Sequence, residues 1–302
     1  MNPSAVLRAI RPHQWVKNIF VLAALLFAGG QAQQEITAED LWATLLAIGA
    51  FCLGSSTIYL VNDIMDVESD RKHPTKCRRP IAAGELTIPA AWVASFVCLA
   101  GSVALALAVG GEPIPLLWIV GAYVVMNYAY SVKLKHVVLV DAFCIAAGFL
   151  FRVQGGALAV GVAVSHWLFL CTLFLSLFLA LCKRKAETDL LGDGAESHRK
   201  ILREYNGPFL DQMITLLAAC TVVAYTMYTV SDATSLKFGE DHILVWTVPF
   251  VVFGLGRYML LVNTQRGGGS PTRVLLGGDL AFFLNGLCWL SVVVVSLYKP
   301  FS

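Results

Sequence analysis

The chain has 302 residues, 57% of them hydrophobic and only 14% charged, with a mean hydropathy of +0.70. Soluble domains carry roughly 45–50% apolar and about 25% charged residues, and disordered chains are poor in apolar residues, so both classes are excluded. A net charge of +2 leaves no basic footprint for nucleic acid.

A membrane-spanning helix needs about 20 mostly apolar residues. In chain order such windows fall at 16–33, 41–61, 90–110, 114–131, 138–157, 165–182, 211–230, 243–262 and 275–298. They predict an all-α, multi-pass membrane protein of nine spans, a single transmembrane domain over residues 1–302. The purely apolar run of the first window is short. Two connections are long, 62–89 and 183–210. No room is left for a soluble domain, and no fixed-period repeat or low-complexity tract is present.

Lysine and arginine set the orientation. With nine spans, Arg8, Arg11, Lys17, Arg71, Lys72, Lys76, Arg78, Arg79, Lys133, Lys135, Lys183, Arg184, Lys185, Arg199, Lys200, Arg203, Arg266 and Arg273 share one side. The other side receives only Lys237 and Lys299, while Arg152 and Arg257 lie within spans. This asymmetry predicts a cytoplasmic N-terminus, a C-terminus on the far side and both long connections in the cytoplasm. The eight cysteines show no CxxC or Cys/His metal spacing.

The first long connection opens NDIMDVESD, with Asp63, Asp66 and Asp70 at i, i+3 and i+7. At ~100° per residue these three carboxylates share one face of a helix continuing from the second span. Converging carboxylates repel unless a cation joins them. Mg²⁺ suits them, because it takes oxygen ligands and commonly keeps substrate phosphates in its shell. Arg71, Lys72, Lys76, Arg78 and Arg79 follow directly. Acids for a metal beside bases for phosphate are what a diphosphate site requires. A solvated acidic helix end is the other reading of the acids, and positive-inside topology alone is the other reading of the bases.

Two charges lie within the fifth window. Asp141 and Arg152 share a helical face but stand ~16 Å apart along it, too far to pair. Intramembrane ions usually face a cavity or each other. Arg152 therefore reads either as a contact for an anionic substrate or as a link to a polar group on another helix. Arg257 and Asp279 are placed to link to each other.

NDIMDVESD followed by HPTKCRRPIAAGEL resembles the first aspartate-rich motif of the UbiA superfamily of intramembrane prenyltransferases, and NYAYSVKLK at 127–135 resembles its YSxxLK segment. The resemblance implies nine helices around a central cavity open to the cytoplasm, and brings Tyr130 and Lys133 among the site candidates. RPHQWVKN at 11–18, KRKAE at 183–187 with Arg199, Lys200 and Tyr205, and Arg257-Tyr258 before the glycine-rich 267–271 are similar to the decaprenyl-phosphate phosphoribosyltransferase branch. Lys185 departs from that pattern, where an aromatic residue is expected.

The branch implies Mg²⁺-dependent transfer of 5-phosphoribose from phosphoribosyl diphosphate (PRPP) to a polyprenyl phosphate. Asp63, Asp66 and Asp70 would hold the metal, with Asn62 orienting the diphosphate and Arg71, Lys72, Arg78 and Arg79 neutralising it. Lys17 would bind the lipid phosphate. Lys183, Arg184 and Arg199 would hold the sugar phosphate, with Glu187 on the ribose or a second metal. The resemblance also implies a bacterial inner membrane. Two other readings stand beside it. One is prenyl transfer from a prenyl diphosphate to an aromatic acceptor, which a second aspartate-rich motif would favour; Asp189 and Asp193 show a DxxxD spacing, though a solvated turn explains them as well. The other is a transporter or binding protein for polyprenyl phosphates. Oligomeric state is left open.

Overall fold

The computed structural model describes residues 3–27, 37–110, 113–191, 205–232, 234–235, 243–264 and 279–298. Among these there is no strand. The helices are α1 (Pro3–Ile10), α2 (Leu22–Phe27), α3 (Ala38–Met65), α4 (Val67–Lys72), α5 (Ile88–Ala108), α6 (Pro113–Val132), α7 (Val140–Ala159), α8 (His166–Leu191), α9 (Gly207–Thr229), α10 (Val248–Asn263) and α11 (Leu280–Tyr298). Short 3₁₀ segments cover Pro12–Val21, Lys76–Arg78, Leu134–His136 and Ile243–Thr247.

Seven described helices are long and apolar enough to cross a membrane, and Leu280–Ser296 is a shorter apolar helix. They coincide with eight of the nine windows. Where the first window begins, the chain forms a 3₁₀ segment and then six residues of α-helix, and residues 28–36 lie outside the described residues. Hydropathy sets two other edges too short. Helix α3 runs on to Met65, and α8 continues through Lys183, Arg184 and Lys185 to Leu191. Falling hydropathy marks where lipid contact ends, whereas backbone hydrogen bonding goes on until a breaker intervenes.

The helix starts are written locally. Thr37 and Asp40 form a reciprocal capping box at α3, with the Asp40 N–H donating to Thr37 Oγ1 at 3.1 Å. Thr87 and Asn206 cap α5 and α9, each with proline in the first turn, where its missing N–H costs nothing. Trp118, Trp246 and Val97 lie 66–74% exposed on helix surfaces, an arrangement suited to lipid.

The chain divides into two compact units, with the division falling inside α7. The first comprises Met1–Leu26, Ile36–Lys133 and Phe151–Val162. Its centre is α3 packed on α5, with α6, α1 and the 3₁₀ segment Pro12–Val21 around it. Small residues let the backbones approach, as is usual in membrane helices. Ser102 Oγ donates to the Ala50 carbonyl at 2.7 Å across the α3–α5 interface. Phe51, Leu116, Val120 and Tyr123 fill one cluster; Leu60, Ile81, Leu86 and Cys98 fill another. The second unit comprises Phe27–Glu35, Leu134–Leu150 and Ala163–Ser302. Here α8 packs along α9, and α10 lies against both and against α11. Phe178, Leu181, Leu210, Ile214 and Tyr258 form its core.

Candidate functional site

In the first unit, the end of α3 and helix α4 carry a clamped pair of carboxylates, Asp63 and Asp70. Asp63 and Asp70 are each 2% exposed. Arg79 Nη1 donates to Asp63 Oδ1 at 3.0 Å and to Asp70 Oδ2 at 2.7 Å, so one guanidinium draws the two acids together. Arg11 Nη2 reaches both oxygens of Asp63, at 2.6 and 2.7 Å, and its guanidinium carbon lies 5.1 Å from the Tyr59 ring centre. The backbone of Arg11 has φ +54°, a left-handed conformation uncommon outside glycine.

The three aspartates do not lie on one uninterrupted helix. Helix α3 stops at Met65, Asp66 sits between helices at φ −92° and ψ 7°, and α4 restarts at Val67. Asp66 and Asn62 are half-buried. Among the described residues, no three His, Cys, Asp or Glu side chains gather as a complete metal cage. The donor set nevertheless fits Mg²⁺, which is held through one or two carboxylates with waters and phosphate oxygens completing its shell. Asp63 and Asp70 supply two hard oxygen donors at one place.

The basic residues that follow differ in exposure. Arg71, Lys72 and Arg78 are exposed, and Arg71 pairs with Glu68 at 3.0 Å. Lys17 is half-buried on the 3₁₀ segment beyond Arg11. Tyr130 is half-buried in the last turn of α6, and Lys133 is exposed just after it. Arg152 is buried within this unit: Nε donates to Asn18 Oδ1 at 2.7 Å and Nη2 to the Tyr123 hydroxyl at 2.9 Å.

In the second unit, Arg184 is 1% exposed and donates from Nε to Asp141 Oδ2 at 2.6 Å and from Nη1 to Glu187 Oε2 at 2.5 Å. Tyr205 donates to Asp141 Oδ1 at 2.6 Å. Burial first, and the Asp141 carboxylate second, push the Tyr205 phenol well above its ordinary pKa. Lys183 is exposed, with Nζ 3.8 Å from Glu187 Oε1. Lys185 pairs with Asp211, and together they line a cavity of about 250 Å³ with Cys182, Thr215, Met259 and Asn263. Arg257 and Asp279 form the expected link, at 3.1 and 2.8 Å. Asp189 is exposed; Arg199 and Asp193 lie outside the described residues. Sequence reasoning gave no site role to Arg11, Asp141 or Tyr205. Arg11 stands inside the RPHQW motif, and Asp141 was visible as an intramembrane acid, but their partners come from distant parts of the chain.

Several long apolar helices fit a multi-pass membrane protein, and its first unit holds two buried carboxylates gripped by arginines where α3 gives way to α4. The chain belongs to the UbiA prenyltransferase family, whose pattern matches residues 18–295. It is 35% identical to a decaprenyl-phosphate phosphoribosyltransferase of Corynebacterium glutamicum, over 97% of this chain and 86% of the relative. With the protein of the same name from Mycobacterium tuberculosis it shares 36% identity, over 96% and 93% of the two chains. In fold it is similar to a UbiA homologue from Archaeoglobus fulgidus solved with GPP and Mg²⁺, with a TM-score of 0.70 and 18% identity over 97% of this chain and 99% of that one.

Proposed function

We propose that the protein transfers 5-phosphoribose from PRPP to a polyprenyl phosphate and releases diphosphate, at the cytoplasmic face of a bacterial inner membrane. The reading is carried by the convergence of Asp63 and Asp70 on Arg79 in a chain about a third identical, nearly end to end, to proteins named for this reaction.

In this reaction an oxygen of the lipid phosphate bonds to the anomeric carbon of the ribose as the bond from that carbon to the diphosphate oxygen breaks. The attacking phosphate is already an anion, so no strong general base is needed. Rate comes from leaving-group stabilisation and from holding two like-charged reactants in line. Asp63 and Asp70, with Asp66 between them in sequence, would hold Mg²⁺, which when bound neutralises charge on the diphosphate. Asn62 orients that group, and Arg71, Lys72, Arg78 and Arg79 bind its oxygens. Lys17 binds the lipid phosphate, with Tyr130, Lys133 and Arg152 as further substrate contacts. Lys183 and Arg199 take the sugar phosphate. Arg184, already bonded to two carboxylates, stands behind Glu187.

The test is an assay of purified protein with labelled PRPP, a polyprenyl phosphate and Mg²⁺. A labelled lipid product that disappears with EDTA is expected. Folded protein that makes none, but consumes a prenyl diphosphate with an aromatic acceptor, would overturn the reading.

A further inference from the structure

One buried ionic cluster, in the second unit, has no role in the bond changes above. It joins three parts of the chain: the start of α7, the last turns of α8 and Tyr205, two residues before α9. Asp141, Arg184 and Tyr205 are each at most 1% exposed. The two Asp141 oxygens are divided between Arg184 Nε and the Tyr205 hydroxyl, both at 2.6 Å. The same hydroxyl accepts from the Leu139 N–H at 2.8 Å. Leu139 has φ +64°, which a bulky residue adopts only where its surroundings enforce it. The Tyr205 hydroxyl thus pins a strained turn and orients the carboxylate beside it.

From Asp141 the chain of contacts leads outward through Arg184 to Glu187, with Lys183 on the other Glu187 oxygen. Its outward member is Glu187, 31% exposed. Arg184 bonds Oε2 and Lys183 approaches Oε1, and a carboxylate with about four acceptor sites keeps capacity for hydroxyl donors beyond these two.

We propose that Asp141 and Tyr205 are positioning residues which, through Arg184, fix Glu187 as the acceptor for the pentose hydroxyls of the donor substrate. This rests on PRPP being the donor, and it refines that reading by giving Arg184 a supporting place and Glu187 the sugar contact.

The test is a double-mutant cycle on Tyr205→Phe and Glu187→Gln in the full-length protein. Thermal unfolding verifies that each variant is folded, KM for PRPP comes from turnover, and the PRPP Kd comes from calorimetry. Replacing a charged acceptor by a neutral one weakens its hydrogen bonds and should raise KM about tenfold in Glu187→Gln, with a smaller rise in Tyr205→Phe. If Tyr205 acts through Glu187, the double variant matches Glu187→Gln alone; independent effects would multiply. Asp141→Ala is not used, because it strands a buried guanidinium. Multiplying effects, or a Tyr205→Phe variant with normal KM and Kd and only lowered stability, would overturn the proposal while leaving the donor intact. A wild-type protein that neither binds PRPP nor forms phosphoribosyl lipid would overturn both.

Discussion

Arg11 grips Asp63 with a single nitrogen: Nη2 lies 2.6 Å from one carboxylate oxygen and 2.7 Å from the other. The contact spans 52 positions of sequence and is made from a backbone conformation that most residues avoid. Because one nitrogen makes both contacts, a lysine ammonium can replace part of it, whereas alanine replaces none. Hydrogen bonds to charged groups contribute about 1.5–3 kcal/mol. Arg11→Ala should therefore lower kcat/KM by about tenfold or more, and Arg11→Lys by clearly less. Equal losses in the two variants would contradict this account of the contact.

Asp63 and Asp70 meet on Arg79, so removing either charge should disable the site without dismantling it. Asparagine keeps a carbonyl acceptor for the arginines but offers a much weaker metal ligand. Asp63→Asn and Asp70→Asn should each reduce turnover by about a hundredfold or more, several kcal/mol of transition-state charge stabilisation. The proteins should elute from size exclusion like wild type. EDTA should abolish wild-type turnover and added Mg²⁺ restore it. Near-normal turnover in either variant would remove both residues from the metal assignment.

Gly156 marks a close backbone approach in the first unit. A Cβ there would lie 2.0 Å from the Val21 carbonyl oxygen and 2.9 Å from its carbon. The obstacle is backbone, so it cannot rotate away. Overpacking of this kind typically costs about 1–3 kcal/mol, and Gly156→Ala should lower the thermal midpoint measurably. Gly121 is the control: nothing lies within 4 Å of its Cβ position, and Gly121→Ala should be neutral or stabilising. Matching effects at the two sites would contradict the packing argument.

The basic residues predict topology. With nine spans, the C-terminus falls opposite the side that collects nearly all the lysines and arginines. A reporter fused after Ser302 that is active only outside the cytoplasm should therefore be active, and one inserted near Lys72 should be silent. A silent Ser302 fusion in folded, expressed protein would overturn the nine-span count.

How legible was this molecule before its structure? The long helices were, because an apolar run of about 20 residues has few alternatives in a membrane. The Arg257–Asp279 link was also legible, since both charges stand near ends of successive spans. The ends of α3 and α8 were not: Asn62–Met65 and Lys183–Leu191 are polar enough to look like loop, yet remain helical. Nor were the partners of Asp63 and Asp141. Local spacing says which acids share a face, but the arginines that reach them are set by tertiary packing. Thus Arg184 reads in sequence as an open phosphate ligand, whereas folding places its guanidinium between Asp141 and Glu187.

Tyr205 gives the second cluster a pH signature. Burial and the neighbouring Asp141 carboxylate raise its phenol well above the usual value of about 10. The native state then keeps a proton that the unfolded chain has lost. Stability from this group is complete below about pH 10 and falls as pH rises towards the native value, because the unfolded state binds fewer protons there. Tyr205→Phe has no such proton. The stability difference between wild type and Tyr205→Phe should be constant near neutrality and shrink between about pH 9 and about pH 11. Other tyrosines and lysines titrate in both proteins and cancel in the difference. Chemical unfolding in detergent across that range measures it, and a difference that stays constant would show that the Tyr205 hydroxyl does not sit buried against Asp141.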